Sequence, residues 1–262
     1  MPVDHPLDTV PWRSLTTRLA HVAERHGAAA RFHHDVGIFC ALERWDSGAW
    51  DDLATLVGPG GIAVFLQCEV PPVPAGCVEL DRGPGIQMVL DGPPAPAPWD
   101  PAAHVRPLDA DVDAAVALVA LTEPGPFRRG TLGLGAYLGA FDRSTGDERL
   151  VAMAGERMRL PGWTEVSAVC THPDWRGRGL AAALTAAVAQ GIQARGEQAL
   201  LHVAADNVGA ARVYERLGFV VRRGIEWCAA RAPERSAGEG RGEDLALHVP
   251  HRQVSGGGEP GR

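Results

Sequence analysis

Residues 163–195 set the tightest limit on what this chain folds into. Thr164 to Thr171 is a short run rich in β-branched residues with Pro173 just beyond it, which reads as a strand with a defined end. Arg176, Gly177, Arg178 and Gly179 form a turn. Leu180 then opens an Ala- and Leu-rich run to about Arg195, with Leu180, Ala183, Leu184, Ala187, Val188 and Ile192 on one side, the spacing of a helix. A strand that turns through glycines into a helix makes an anion site. The first N–H groups of a helix lack intrahelical partners and lie at the positive end of its dipole. Glycine allows a tight turn and a close ligand approach, and Arg contacts phosphate with a two-pronged fork. The stretch predicts a pyrophosphate cradle. It is not a Walker loop, because no Gly-Lys-Ser/Thr follows, and its glycine spacing is not that of the dinucleotide-binding turn.

The spacing Arg176-x-x-Gly179-x-Ala181 matches the Arg/Gln-x-x-Gly-x-Gly/Ala signature of the GNAT superfamily of N-acetyltransferases. Val169-Cys170-Thr171-His172-Pro173 and Asp174-Trp175 ahead of it are similar to that family too. Residues 200–219 carry a second likeness: a strand, Asn207 opening a helix, then Tyr214-Glu215-x-x-Gly218-Phe219, in the family's order and separation. The chain therefore resembles a GNAT N-acetyltransferase over residues 102–231. The resemblance implies an α/β fold with a mixed, mostly antiparallel central sheet flanked by helices.

The resemblance also implies acetyl-CoA as co-substrate and direct attack by a primary amine within a ternary complex, with no metal and no nucleophilic Cys or Ser. Val169, Cys170 and Thr171 lie where backbone groups pair with the pantetheine arm. Arg176, Gly177, Arg178, Gly179, Leu180 and Ala181 hold the pyrophosphate. Asn207 and Ala210 lie at the cofactor, Asn207 with a competing role as helix cap. Tyr214 matches the tyrosine beside the thioester sulfur, a general acid toward the leaving thiolate or a packing residue. Glu165 stands where several members place a Glu, as general base or as an ordinary strand-end residue. Cys170, alternating with Val169 and Thr171, is expected to face the core, and His172 to belong to the turn. The acceptor is a small-molecule amine or a protein amino group. The competing readings are a non-catalytic acyl-CoA-binding regulatory module and an acyltransferase using a longer acyl-CoA.

The rest of the chain suggests an N-terminal α/β domain over residues 1–90, a connector over 91–101 and a tail over 232–262. In residues 12–26, Leu15, Leu19 and Val22 have helical spacing. His33, His34 and Asp35 invite a metal reading, but neighbours on a strand point to opposite faces and chelate poorly. Asp51–Val57 reads as a helix ended by Gly58, and Ile62–Gln67, Val78–Leu80 and Gly85–Leu90 as strands. Residues 91–101, with alternating proline, read as a semi-rigid connector. After it come a strand at His104–Leu108 and a helix at Asp113–Leu121 capped by Asp109, Asp111 and Asp113. The layout is similar to two-domain members that pair a degenerate GNAT-like half with a complete one, as in the glycine N-acyltransferase-like group. That half implies a monomer, with a homodimer as the alternative. Residues 232–262 are rich in Gly, Arg and Glu and poor in large apolar side chains, the composition of a disordered tail.

Composition closes off other classes. A net charge of −7 argues against nucleic acid as the main partner. Five cysteines without a Cys-x-x-Cys pair argue against a zinc ribbon or disulfide framework and for a reducing cytoplasm. No basic-then-apolar leader and no apolar run of membrane-spanning length is visible, so no membrane partner is expected.

Overall fold

The computed structural model describes residues 5–144, 146 and 148–234. The tail expected at 232–262 lies outside the described residues from position 235. At its start Ala232 N donates to Gly61 O (2.8 Å) and Gly60 N to Pro233 O (3.3 Å). No helix among the described residues is long and apolar enough to cross a membrane.

The chain opens with α1 (Val10–Thr16), then the strands β1 (Ala23–His26), β2 (Ala29–Phe32) and β3 (Cys40–Leu42), which form a small antiparallel sheet. The helix expected over 12–26 ends early. The Thr16 and Thr17 hydroxyls donate back to Trp12 O and Arg13 O, which competes with helix continuation. Glu24 then pairs with Arg31 across a hairpin turned at Gly27. His33 and His34 lie in the turn after β2, with ring centroids 4.4 Å apart. The strand geometry that argued against their cooperation does not apply.

Next come α2 (Ser47–Val57), capped by the Asp46 side chain, β4 (Ile62–Gln67) and β5 (Val78–Leu90). The two short strands expected at 78–80 and 85–90 are one strand of 13 residues. After the connector follow β6 (Ala103–Pro107), α3 (Val112–Thr122), β7 (Tyr137–Asp142), β8 (Arg149–Leu160), β9 (Trp163–Thr171), α4 (Leu180–Ala194), β10 (Gln198–Ala204), α5 (Val208–Arg216) and β11 (Phe219–Arg231). Asp111 occupies the cap position of α3, but its carboxylate does not cap. The Arg106 guanidinium takes it in a fork (2.8 and 3.0 Å), while Asp113 pairs with Arg129.

Eight strands form one sheet in the order β4-β11-β5-β10-β9-β8-β7-β6. Only β9 and β10 run parallel. Thus β5, which precedes the connector in sequence, is hydrogen-bonded between β10 and β11, which follow it. Residues on either side of 91–101 share this sheet. The helices α4 and α5 cover one face around Val151, Leu184, Ile192, Leu201 and Phe219. The other face carries α3 over Phe141 and Met153, and α1 over Met158, Leu160 and Leu200.

The parallel pairing of β9 with β10 runs only from Gln198↔Trp163 to Leu200↔Glu165. A charged chain braces the point where it stops. Glu165 is fully buried and accepts four hydrogen bonds: Arg157 Nη2 (2.6 Å) and His202 Nδ1 (2.7 Å) on Oε1, Arg157 Nε (2.9 Å) and Met158 N (3.2 Å) on Oε2. Gln87 Nε2 donates to His202 Nε2 (3.0 Å) and to Leu7 O (2.8 Å); we assign the single ring proton of His202 to Nδ1, which satisfies every partner. Arg222 links Gln87 Oε1 to Asp8 Oδ1, at 2.7 Å each. The brace so joins β8, β9, β10, β5 and β11 to the N-terminal segment.

Burial alone would push the Glu165 carboxyl up. The Arg157 guanidinium, with His202, overrides it and holds the group well below the usual carboxylate range. Replacing Glu165 with Gln should destabilise the protein by about 3–5 kcal/mol, the usual cost of leaving one member of a buried pair uncompensated. The difference should be read from urea unfolding. Because the folded value is depressed, the stabilisation is complete above the ordinary value near 4.5 and is lost only as pH falls below it. A Gln variant as stable as the parent at pH 7 would show that the network braces nothing.

Candidate active site

Beyond Glu165 and Leu200 the sheet opens, because β9 pairs only with β8 there. Between Ser167↔Gly155 and Cys170↔Met153, β9 has two residues against one on β8, a bulge centred on Ala168. Ala168 has φ 54°, a left-handed conformation that a non-glycine residue adopts at a cost. Bulges of this kind re-aim backbone groups next to functional sites. Val169 and Thr171, expected to meet an extended ligand, lie on the edge that faces the gap. The Cys170 side chain is buried against Met153 and α3, as its alternation predicted, and burial raises its thiol to about 11. Its contribution to the gap is backbone only.

The turn from Arg176 to Ala181 leads into α4 as the spacing predicted. Gly177 and Gly179 are left-handed, with φ 77° and 80°. The start of α4 has no side-chain cap, and its first intrahelical bond is Ala183 N to Gly179 O, so the amides of Leu180 and Ala181 stay open. The Leu180 side chain is core. Nothing lies within 4 Å of where a Gly177 side chain would stand, whereas a Cβ on Gly179 would meet Pro98 O at 2.5 Å. Gly179 is thus required by the connector's backbone and by its φ. The two arginines also differ. Arg178 pairs with Asp100 of the connector (3.3 Å), and its guanidinium lies 4.3 Å from the Trp175 ring centroid. Arg176 is exposed, with one long contact, to Thr171 O at 3.4 Å. Arg176 is the arginine free to meet an anion.

Asn207 caps α5 by accepting from Ala210 N at 3.1 Å, which also occupies the Ala210 amide. His172 accepts from Asp174 N and belongs to the turn. Tyr214, on α5, packs among the side chains of the α4/α5 face, with the Phe219 ring 6.1 Å away. Its hydroxyl has no hydrogen-bond partner among the described residues. Burial pushes it up to about 12, and Cys170 adds to the rise. Cys170 belongs to the cluster on the opposite face. Glu165 does not suit the role of base. All four of its lone-pair positions are occupied and its carboxyl is held low, so it has little capacity to take a proton.

Sequence reasoning missed several groups near the gap. Arg157 and His202 are the partners that fix Glu165; β8 carries Glu156, Arg157 and Arg159 close together, and nothing in that run singles out Arg157. Tyr137, on β7, is buried with no partner for its hydroxyl, and packs edge-on against Phe127 of the loop after α3 at 6.1 Å. Burial raises its hydroxyl, and Arg157 partly offsets the rise.

A gap between parallel strands, a bulged free edge and an open helix start converge on one place, fit for an extended ligand ending in an anion. Residues 137–228, which contain all of these features, match the family model of FR47-like protein. Among curated proteins no match was found. Among solved structures, a GNAT-family protein from Novosphingobium aromaticivorans is 39% identical, with 89% of this chain and 100% of that one covered and a TM-score of 0.77. A GCN5-related N-acetyltransferase from Kribbella flavida shares the fold at 19% identity, with 87% and 97% covered and a TM-score of 0.59. A tandem GNAT protein from the clavulanic acid biosynthesis pathway does so at 15% identity, with 79% of each chain covered and a TM-score of 0.51. The chain belongs to the GNAT family of acetyltransferases.

Proposed function

We propose that this protein is an N-acetyltransferase that moves an acetyl group from acetyl-CoA to a primary amine by direct attack, both substrates being bound together. The observation that carries the reading is the open edge of β9 at the gap, followed by the open start of α4; Tyr214, on the face that α4 and α5 cover, is the phenol assigned to it. The edge beyond Glu165 would receive the pantetheine amides as an added strand does. The amides of residues 177–181 and the Arg176 guanidinium would hold the pyrophosphate.

Bringing amine and thioester together supplies much of the rate. As the N–C bond forms and the C–S bond breaks, charge builds first on the carbonyl oxygen. A backbone N–H of the Ala168 bulge is the candidate to stabilise it. Charge then builds on the departing sulfur, and Tyr214, protonated throughout the neutral range, offers its O–H there. With Glu165 saturated, the ammonium loses its proton to solvent rather than to this carboxylate. The acceptor, a small-molecule amine or a protein amino group, would enter from the α3 face, where Phe127 and the unpartnered Tyr137 hydroxyl lie.

Calorimetry should show one molecule of acetyl-CoA bound per chain. Arg176→Ala should weaken binding by about tenfold or more, the worth of a charged hydrogen bond, with thermal stability unchanged. No binding of acetyl-CoA or of longer acyl-CoAs would overturn the enzyme reading. In an amine screen that follows thiol release, Tyr214→Phe should lower kcat by about 10²-fold or more while acetyl-CoA affinity stays within about threefold. Equal turnover would remove Tyr214 as the acid.

A further inference from the structure

Away from the gap, the hairpin and turn of the N-terminal unit gather a donor set that the acetyl-transfer reading does not use. Ligand atoms of Glu24, His33 and His34 lie within 4.8 Å of one another. Glu24 belongs to β1 and the histidines to the turn after β2, so the set spans two segments. We propose that Glu24, His33 and His34 bind one divalent ion of the borderline class, zinc(II) foremost. Two imidazoles and one carboxylate suit zinc, copper or nickel, whereas magnesium and calcium favour all-oxygen sets.

The surroundings orient these donors. Arg31 Nε and Nη2 hold Glu24 Oε2 at 2.7 and 2.6 Å, which leaves Oε1 facing His33 Nε2 at 3.8 Å. Asp35 stands against both rings, 3.1 Å from His34 Nε2 and 3.8 Å from His33 Nδ1, a carboxylate–imidazole contact of the kind that orients metal-bound histidine. The turn backbone is pinned. His33 N donates to Val22 O (2.9 Å), and Val36 N and Gly37 N donate to His33 O. Gly130 N donates to Asp35 O and the Thr131 hydroxyl to Val36 O, at 2.8 Å each. Donors each about 2.1 Å from a tetrahedral ion stand about 3.4 Å apart. From separations of up to 4.8 Å the set therefore closes by up to about 1.4 Å on binding, a movement that rotation of partly exposed side chains supplies, and water fills the remaining position.

The test is calorimetric titration of the tag-free, full-length protein with zinc chloride, with magnesium chloride as comparator. The expected result is a one-to-one zinc isotherm and none for magnesium. Zinc should also raise the unfolding temperature. The double variant His33→Ala/His34→Ala, and separately Glu24→Gln, should each weaken binding by about tenfold or more, the scale already seen for outer-sphere changes, and lose the thermal shift. Glu24→Gln is the milder change and keeps the test decisive if the double variant folds poorly. No zinc binding by the parent, or equal binding by folded variants, would overturn the site; the latter would place the ion on other histidines or on cysteine thiols.

Discussion

The structure depends on how the Glu165 carboxylate is satisfied. Taking a carboxylate and a guanidinium out of water costs several kcal/mol per ion, and a buried charge with an open lone pair would add to that cost. Here every position on the carboxylate is filled, by three residues on two strands: Arg157 and Met158 on β8, and His202 on β10. Glu165 is also the last residue of β9 that pairs with β10. The charge cluster therefore stands at the apex of the gap and fixes where the sheet stops being continuous. A carboxylate so committed is suited to holding strands in place and unsuited to accepting a proton.

The network reaches past the apex because β5 lies between β10 and β11. Gln87, on β5, joins His202 to the Leu7 carbonyl and to Arg222. A strand that comes before the connector in sequence thus supplies the middle of the sheet that comes after it. The connector then has to travel from the end of β5 to the start of β6 at the far edge. It passes α4 on the way: Gln193 donates to Gly92 O, and Pro98 O abuts Gly179. Asp100 is held by the Arg178 carbonyl and guanidinium together. The start of α4 is therefore shaped from one side by the connector, which leaves Gly177 and Arg176 as the open side of the turn.

What could be read in the sequence was local. The strand, glycine turn and helix of residues 163–195 are contiguous, and each signals itself through spacing and turn chemistry, as does the step from Asn207 to Tyr214 and Phe219. The partners of Glu165 were not legible in the same way. Arg157 is 8 residues away, His202 is 37, and Gln87 lies 115 from His202; only the folded sheet brings them together. Local reasoning also failed where two local rules compete. The hydrophobic period of Leu15, Leu19 and Val22 favoured a helix, but back-bonding by Thr16 and Thr17 ended it. The aspartates before α3 looked like caps, yet Arg106 takes Asp111, because a charged fork outcompetes a single backbone amide.

The bulge at Ala168 shows why the strain sits where it does. A left-handed alanine costs on the order of 1–3 kcal/mol and persists only if its neighbours over-determine it. The register pairs Glu156↔Val166 and Gly155↔Ser167 fix one side, and Met153↔Cys170 and Ala152↔Thr171 the other. On the opposite edge no strand opposes it, since β10 has already diverged. Had β10 stayed paired to Thr171, it would have occupied the edge that the bulge redirects. The divergence braced at Glu165 and the bulge three residues on therefore belong to one device: the first opens the edge, and the second bends the backbone along that open edge.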